Sequence, residues 1–191
     1  MKEYEKEYII TNDKILLFDL DGTIVNTNFS NFLAYKKAID LVLKTNTKLS
    51  YNSKQRFNRN MLKVYFPNLT EEEFENIVKE KENFYNEYLD KIELIDENVE
   101  VLLKYSKSNP TYLVTNCRKD RALKTLNHFG LTYFFTDIFF RVFDDYHIEF
   151  NKYENVLSKL NISPDNIIVF ENEETEILNA KKAGIKIINP F

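Results

Sequence analysis

Cysteine occurs once in the 191 residues, at Cys117. That excludes an intramolecular disulfide framework and suits a reducing compartment. Histidine occurs twice, at His128 and His147, and the two are not spaced as metal ligands. Positive charge is not in excess: 26 Lys and Arg stand against 30 Asp and Glu, a formal net charge of −4, which gives no case for binding nucleic acid. No apolar run approaches the ~18 residues of a membrane-spanning helix. The charged stretch Met1–Tyr8 is not followed by a signal-type apolar segment, so the expected location is cytoplasmic. There is no internal repeat and no low-complexity linker. Glycine is scarce, at Gly22, Gly130 and Gly184 only, so each is expected where another residue would be awkward.

What is present suffices for a sizeable core, since 43% of the residues are apolar. The length is large for one domain and small for two, which fits one core carrying an inserted subdomain. The chain is organised around Lys14-Ile15-Leu16-Leu17-Phe18-Asp19-Leu20-Asp21-Gly22-Thr23. Ile15–Phe18 reads as a strand buried on both faces. Positions i and i+2 of a strand share a face, so Asp19 and Asp21 can point into the same space at its end. Taken alone, the stretch also fits a solvated strand end running into an Asp-Gly turn.

From Asn28 the pattern turns helical, with Phe29, Phe32, Leu33, Ala38, Ile39 and Val42 in a broad stripe and Thr27 or Ser30 as candidate cap. Ser53 to Phe66 reads as a second helix stopped by Pro67. Thr70 and Glu73 form a capping box that opens a helix to about Lys91. Residues 26–94 thus read as an all-helical insert, dense in aromatics that serve as its own core. After it, helix and strand alternate: a helix capped by Asp96, a strand at Tyr112–Val114, a helix from Arg118 to Phe129, a strand over Asp137–Phe143, a helix from Lys152 to Leu160, a strand at Ile167–Phe170, a helix from Thr175 to Ala183 and a last strand at Ile185–Ile188. The expected fold class is α/β: a Rossmann-like parallel sheet of about five strands in residues 1–25 plus 95–191, with the helical insert after its first strand.

Three strand ends carry polar groups just after an apolar run: Asp19 with Asp21, Thr115 with Asn116, and Glu171 to Glu174. Parallel strands bring these ends to one edge. Acidic oxygens there suit Mg²⁺, a hydroxyl and an amide suit phosphate oxygens, and Lys152 at a helix start adds positive charge. Each has a bland reading, the loop start or the solvated lysine; their alignment at four element boundaries favours a site. Cys117 follows Asn116, but no histidine is placed to activate it, and it reads as a small packing residue.

These residues resemble a known family. Asp19-Leu20-Asp21-Gly22-Thr23 looks like the DxDGT motif of the haloacid dehalogenase-like superfamily. Leu113-Val114-Thr115-Asn116 is similar to its second motif and Lys152 to its third. Ile167–Asn172 with Ala180-Lys181-Lys182-Ala183-Gly184 is similar to its fourth. The resemblance implies a core with a helical cap of the C1 type at 26–94, hinged near Val25–Thr27 and Leu94–Glu97. It implies Asp19 as nucleophile and Asp21 as general acid and base, with Thr115, Asn116 and Lys152 binding the phosphoryl group. It implies Mg²⁺ as cofactor, held by Asp19, Asp21, Asn172 and Glu171, with Glu173 or Glu176 able to contribute. Asn172 departs from the pattern, which has an aspartate there, and Tyr153 stands where proline often follows the lysine. The implied activity is hydrolysis of a small phosphorylated metabolite, with no nucleic acid or membrane as partner and the chain a monomer or weak homodimer. A catalytically weak binding or regulatory protein and a sugar phosphomutase are the alternatives. Asp21 argues against carbon–halogen cleavage, whose leaving group needs no proton.

Overall fold

A computed structural model of the chain describes residues 10–141 and 151–190. Residues 1–13, polar except for Ile9-Ile10 and read from the sequence as a short extra strand or an arm, fall mostly outside them, as do His147 and the last two residues of the strand expected to end at Phe143.

The first strand, β1 (Ile15–Phe18), is buried from Leu16 onward. Residues Val25–Leu94 then form a compact unit of their own. It holds β2 (Val25–Asn26), α1 (Asn28–Val42), α2 (Arg59–Tyr65), α3 (Glu71–Phe84), a 3₁₀ segment over Tyr85–Lys91, and β3 (Glu93–Leu94), which pairs antiparallel with β2. Its core is aromatic: Phe32, Tyr35 and Phe57 pack with Ile39, Leu62, Ile77 and Val78.

At α1, α2 and α3 a cap or a boundary differs from expectation. The helix α2 starts at Arg59 rather than Ser53, because Asn58 accepts the Met61 N–H at 3.0 Å and so caps it there. Neither candidate side chain caps α1; Asn26 Oδ1 instead accepts the Asn28 N–H at 3.1 Å. The third helix opens on the expected capping box, with the Thr70 N–H donating to Glu73 at 2.9 Å and the Glu73 N–H to Thr70 Oγ1 at 3.2 Å. It gives way to the 3₁₀ segment at Tyr85, where Tyr88 leaves helical geometry.

The rest of the chain builds the α/β unit: α4 (Asp96–Tyr105), β4 (Thr111–Thr115), α5 (Lys119–His128), β5 (Asp137–Phe140), α6 (Lys152–Leu160), β6 (Ile167–Phe170), α7 (Glu174–Lys182) and β7 (Ile187–Ile188). Asp96 sits inside the first turn of α4, with Ile95 at the cap position. The five strands form one parallel sheet in the order β5-β4-β1-β6-β7. The expected α/β architecture is therefore present, and β1 is its central strand. Period-two alternation divides the sheet's side chains. Leu17 and Val169 pack with Tyr153, Val156 and Leu157 of α6 and Ala180 of α7. Phe18 and Phe170 stack on the opposite face at 4.5 Å between ring centroids. Among the described residues no helix is long and apolar enough to cross a membrane.

Candidate active site

The same alternation positions the first two carboxylates. Leu17 and Val169 face α6, so Asp19 and Glu171, two residues further along each strand, emerge on that side. The sheet pairing continues one residue past β1, with the Asp19 N–H donating to Phe170 O at 3.0 Å. Both carboxylates are buried, Asp19 at 7% and Glu171 at 2% exposure.

Between them lies Lys152, the first residue of α6. Its ammonium donates to Asp19 Oδ1 and to Glu171 Oε2, each at 2.7 Å, and stands 4.0 Å from Glu176 Oε2. Burial alone would lower the Lys152 ammonium, but Asp19 and Glu171 outweigh it and hold its pKa above the ordinary lysine value. Burial pushes Asp19 the other way, up to about 7; Lys152 opposes that shift, and Glu171 and Asp21 add to it. The nucleophile candidate is thus a carboxylate whose surroundings are short of positive charge.

Glu171 is held at every point. Its Oε1 accepts the N–H groups of Asn172 at 2.9 Å and Glu173 at 3.0 Å. Its Oε2 accepts the Tyr153 hydroxyl at 2.7 Å as well as Lys152. Asn189 clasps its peptide, accepting the Glu171 N–H and donating to Glu171 O. The expectation that Glu171 ligates a metal does not fit this arrangement, since both oxygens are occupied by four donors.

Asp21 is paired with a residue that the sequence reading did not single out. Arg121 Nη2 donates to Asp21 Oδ2 at 3.0 Å, and Arg121 Nε donates to Cys117 Sγ at 2.9 Å. A signal existed: Arg121 lies one turn after Cys117, beside the buried stripe of Ala122, Thr125 and Leu126, at the end of α5 that follows β4. Cys117 itself is buried, in keeping with a packing role. Thr115, at the end of β4, is buried and accepts the Cys117 N–H at 3.0 Å. The Asn116 amide donates to Glu176 Oε1 at 3.0 Å, so its side chain ties the end of β4 to the first turn of α7. His128 packs edge-on against Phe129, away from these groups.

Asn172 packs on the loop after Asp21. Gly22 has φ +90°, and a Cβ there would run into the Asn172 amide, so glycine is required on both counts. The Thr23 hydroxyl donates to Asn172 Oδ1 at 3.3 Å. Among the described residues no cluster of three or more His, Cys, Asp or Glu side chains is arranged to hold a metal. The oxygen donors present, the Asp19 carboxylate and the Asn172 amide, are of the hard type that Mg²⁺ takes. The set fits such an ion with less charge than two carboxylates would bring.

The family model described as haloacid dehalogenase-like hydrolase matches residues 16–189. No curated protein sequence matches the chain. Among solved structures, it is similar to a haloacid dehalogenase-like family hydrolase from Streptococcus pneumoniae, with a TM-score of 0.71 and 19% identity over 92% of this chain and 83% of that one. A protein from Haemophilus somnus, described as a predicted phosphoglycolate phosphatase, superimposes with a TM-score of 0.70 and 22% identity over 93% and 85% of the two chains. A protein from Thermotoga maritima assigned as a β-phosphoglucomutase gives 0.66 and 23% over 92% and 83%. At these identities the likeness is one of fold.

Proposed function

The chain belongs to the haloacid dehalogenase-like hydrolases, and on that premise we propose that it is a Mg²⁺-dependent phosphatase of a small phosphorylated metabolite, working through a phosphorylated Asp19. The observation that carries the reading is the Lys152 ammonium held 2.7 Å from Asp19 at the end of the central strand. An ammonium there opposes the repulsion between a carboxylate nucleophile and an anionic substrate.

In the first half-reaction an Asp19 oxygen attacks phosphorus, the bond to the leaving oxygen breaks, and Asp21 gives that oxygen its proton. In the second, Asp21 takes a proton from water as the water attacks the aspartyl-phosphate; inorganic phosphate leaves and Asp19 is restored. Thr115 and Lys152 hold the phosphoryl oxygens, with Asn116 and the Gly22 loop lending backbone N–H groups, and Arg121 fixes the Asp21 carboxyl. Asp19, the Asp21 carbonyl and Asn172 would hold Mg²⁺, which would supply charge neutralisation at the phosphoryl oxygens. Glu171 acts through Lys152. Substrate choice is assigned to the helical unit. The test is a screen of phosphorylated metabolites for phosphate release with and without Mg²⁺, with Asp19→Asn as the blank; full activity in that variant overturns the reading.

Asn172 favours a second reading, a weak or inactive member that binds instead of turning over. Calorimetric titration with Mg²⁺ separates the two: binding at physiological concentration counts against it, and so does a rise in affinity without a rise in activity in Asn172→Asp. A mutase would be revealed by isomer formation without phosphate release.

A further inference from the structure

We propose that Tyr153 is a positioning residue for Lys152, its buried hydroxyl fixing Glu171 so that the ammonium is shared with Asp19. The activity part of this rests on the phosphatase reading above; the geometric part does not.

Tyr153 is fully buried, and its ring lies in the layer between α6 and the sheet with Leu17, Val114 and Val169. An apolar ring would fill that space equally well. What the hydroxyl adds is a 2.7 Å hydrogen bond to Glu171 Oε2, the same oxygen that accepts Lys152 at 2.7 Å. Two consecutive residues of one helix thus converge on one carboxylate oxygen. The first turn of α6 is pinned to allow it: Asn151 accepts the N–H groups of Tyr153 at 3.0 Å and Glu154 at 3.3 Å, and its amide donates to Asn179 O of α7 at 2.9 Å.

The hydroxyl is a neutral donor and stays one, because burial and the facing carboxylates of Glu171 and Asp19 hold its pKa well above the ordinary tyrosine value. It therefore satisfies part of a buried carboxylate without adding charge. Without it, Glu171 Oε2 keeps Lys152 as its one side-chain donor and draws the ammonium toward itself. Asp19, and with it the incoming phosphoryl group, then loses part of the shared charge. The ammonium stands 5.1 Å from the Tyr153 ring centroid, a contact that phenylalanine retains. Tyr153→Phe consequently removes the hydrogen bond and little else.

The test uses Tyr153→Phe, Glu171→Gln and the double variant. On a phosphoester found by the screen, Tyr153→Phe is expected to lower kcat about tenfold, the effect of one hydrogen bond to a buried charge, with KM close to wild type and Tm lowered by a few degrees. In the Glu171→Gln background the same change is expected to have no further effect, because its action passes through Glu171. An unchanged kcat, or a loss of equal size in both backgrounds, overturns the proposal. A second measurement needs no turnover. In ¹⁵N-lysine-labelled protein, the Lys152 ammonium signal, identified by its loss in Lys152→Gln, is expected to exchange with water faster in Tyr153→Phe than in wild type; an unchanged exchange rate overturns the proposal. If wild type releases no phosphate from any ester while this signal responds, the phosphatase reading fails and the positioning role stands.

Discussion

Two lysines of this protein are equally buried, each at 3% exposure: Lys152 in the α/β unit and Lys81 in the helical unit. Lys152 is held by carboxylates 133 and 19 residues away in the chain, delivered by two strand ends. Lys81 pairs with its neighbour Glu82 at 3.2 Å and lies over the rings of Tyr35 and Tyr85 at 5.3 and 5.2 Å. One meets groups that only the sheet topology can assemble, the other a neighbour on its own helix and two rings of the aromatic core. The acids differ in the same way. Burial and like charge drive Asp19 up to about 7. Asp40 of α1 is also partly desolvated, but Lys36 one turn before it and the Thr47 N–H and hydroxyl hold its pKa below the ordinary value. Long-range convergence of unbalanced charge fits the reacting centre proposed above, and local pairing fits a scaffold.

The comparison breaks most directly at Asp19. Asp19→Asn is expected to cut phosphate release by at least about 10⁴-fold, as loss of a nucleophile does. The same variant should change the pH dependence of stability in the metal-free protein. An acid whose folded pKa is raised binds more protons folded than unfolded between about pH 4 and about pH 7, so its contribution to stability falls as pH rises through that window. Urea titrations at pH 5 and pH 8 should show that fall in wild type and a smaller one in Asp19→Asn.

Next in size is the pair of lysines. Lys152→Met is expected to lower kcat by about 10²–10³-fold, the cost of one preorganised electrostatic partner. Lys81→Met should leave phosphate release close to wild type. Equal losses in the two variants would erase the distinction drawn between them.

Asp40→Asn tests the opposite sign. A lowered pKa contributes stability above the ordinary carboxylate range and loses it as pH falls through the lowered value. The variant should cost about 2 kcal/mol at pH 7 and progressively less in acid, read by urea unfolding. Smallest is Thr70→Ala, which removes the capping box of α3 and should cost about 1 kcal/mol at any pH where Glu73 is ionised.

Much of the fold was legible because its signals are local. The apolar run Ile15–Phe18, the Thr70 to Glu73 box and the break at Pro67 each act within a few residues, and the elements they mark are present. The start of α2 was misread because apolar spacing extends back past Asn58, whereas the cap that sets the boundary is a single hydrogen bond. Asp19, Thr115 and Lys152 were legible as strand-end and helix-start residues. Arg121, Tyr153 and Asn189 were not singled out as site residues, because each acts by meeting a partner 18 to 100 residues away.

The sequence by itself determined which groups stand at strand ends, because period-two alternation and turn chemistry are properties of short segments. It determined too that Gly22 must follow the acidic pair and that an amide, Asn172, stands where the family pattern has an acid. Only the tertiary structure decided what those groups face. Glu171 could be read equally as a metal ligand or as the partner of a lysine, since a carboxylate's role depends on which donors reach it. The parallel order β5-β4-β1-β6-β7 brings Lys152 and Tyr153 to its oxygen and leaves Asp19 as the acid still short of charge.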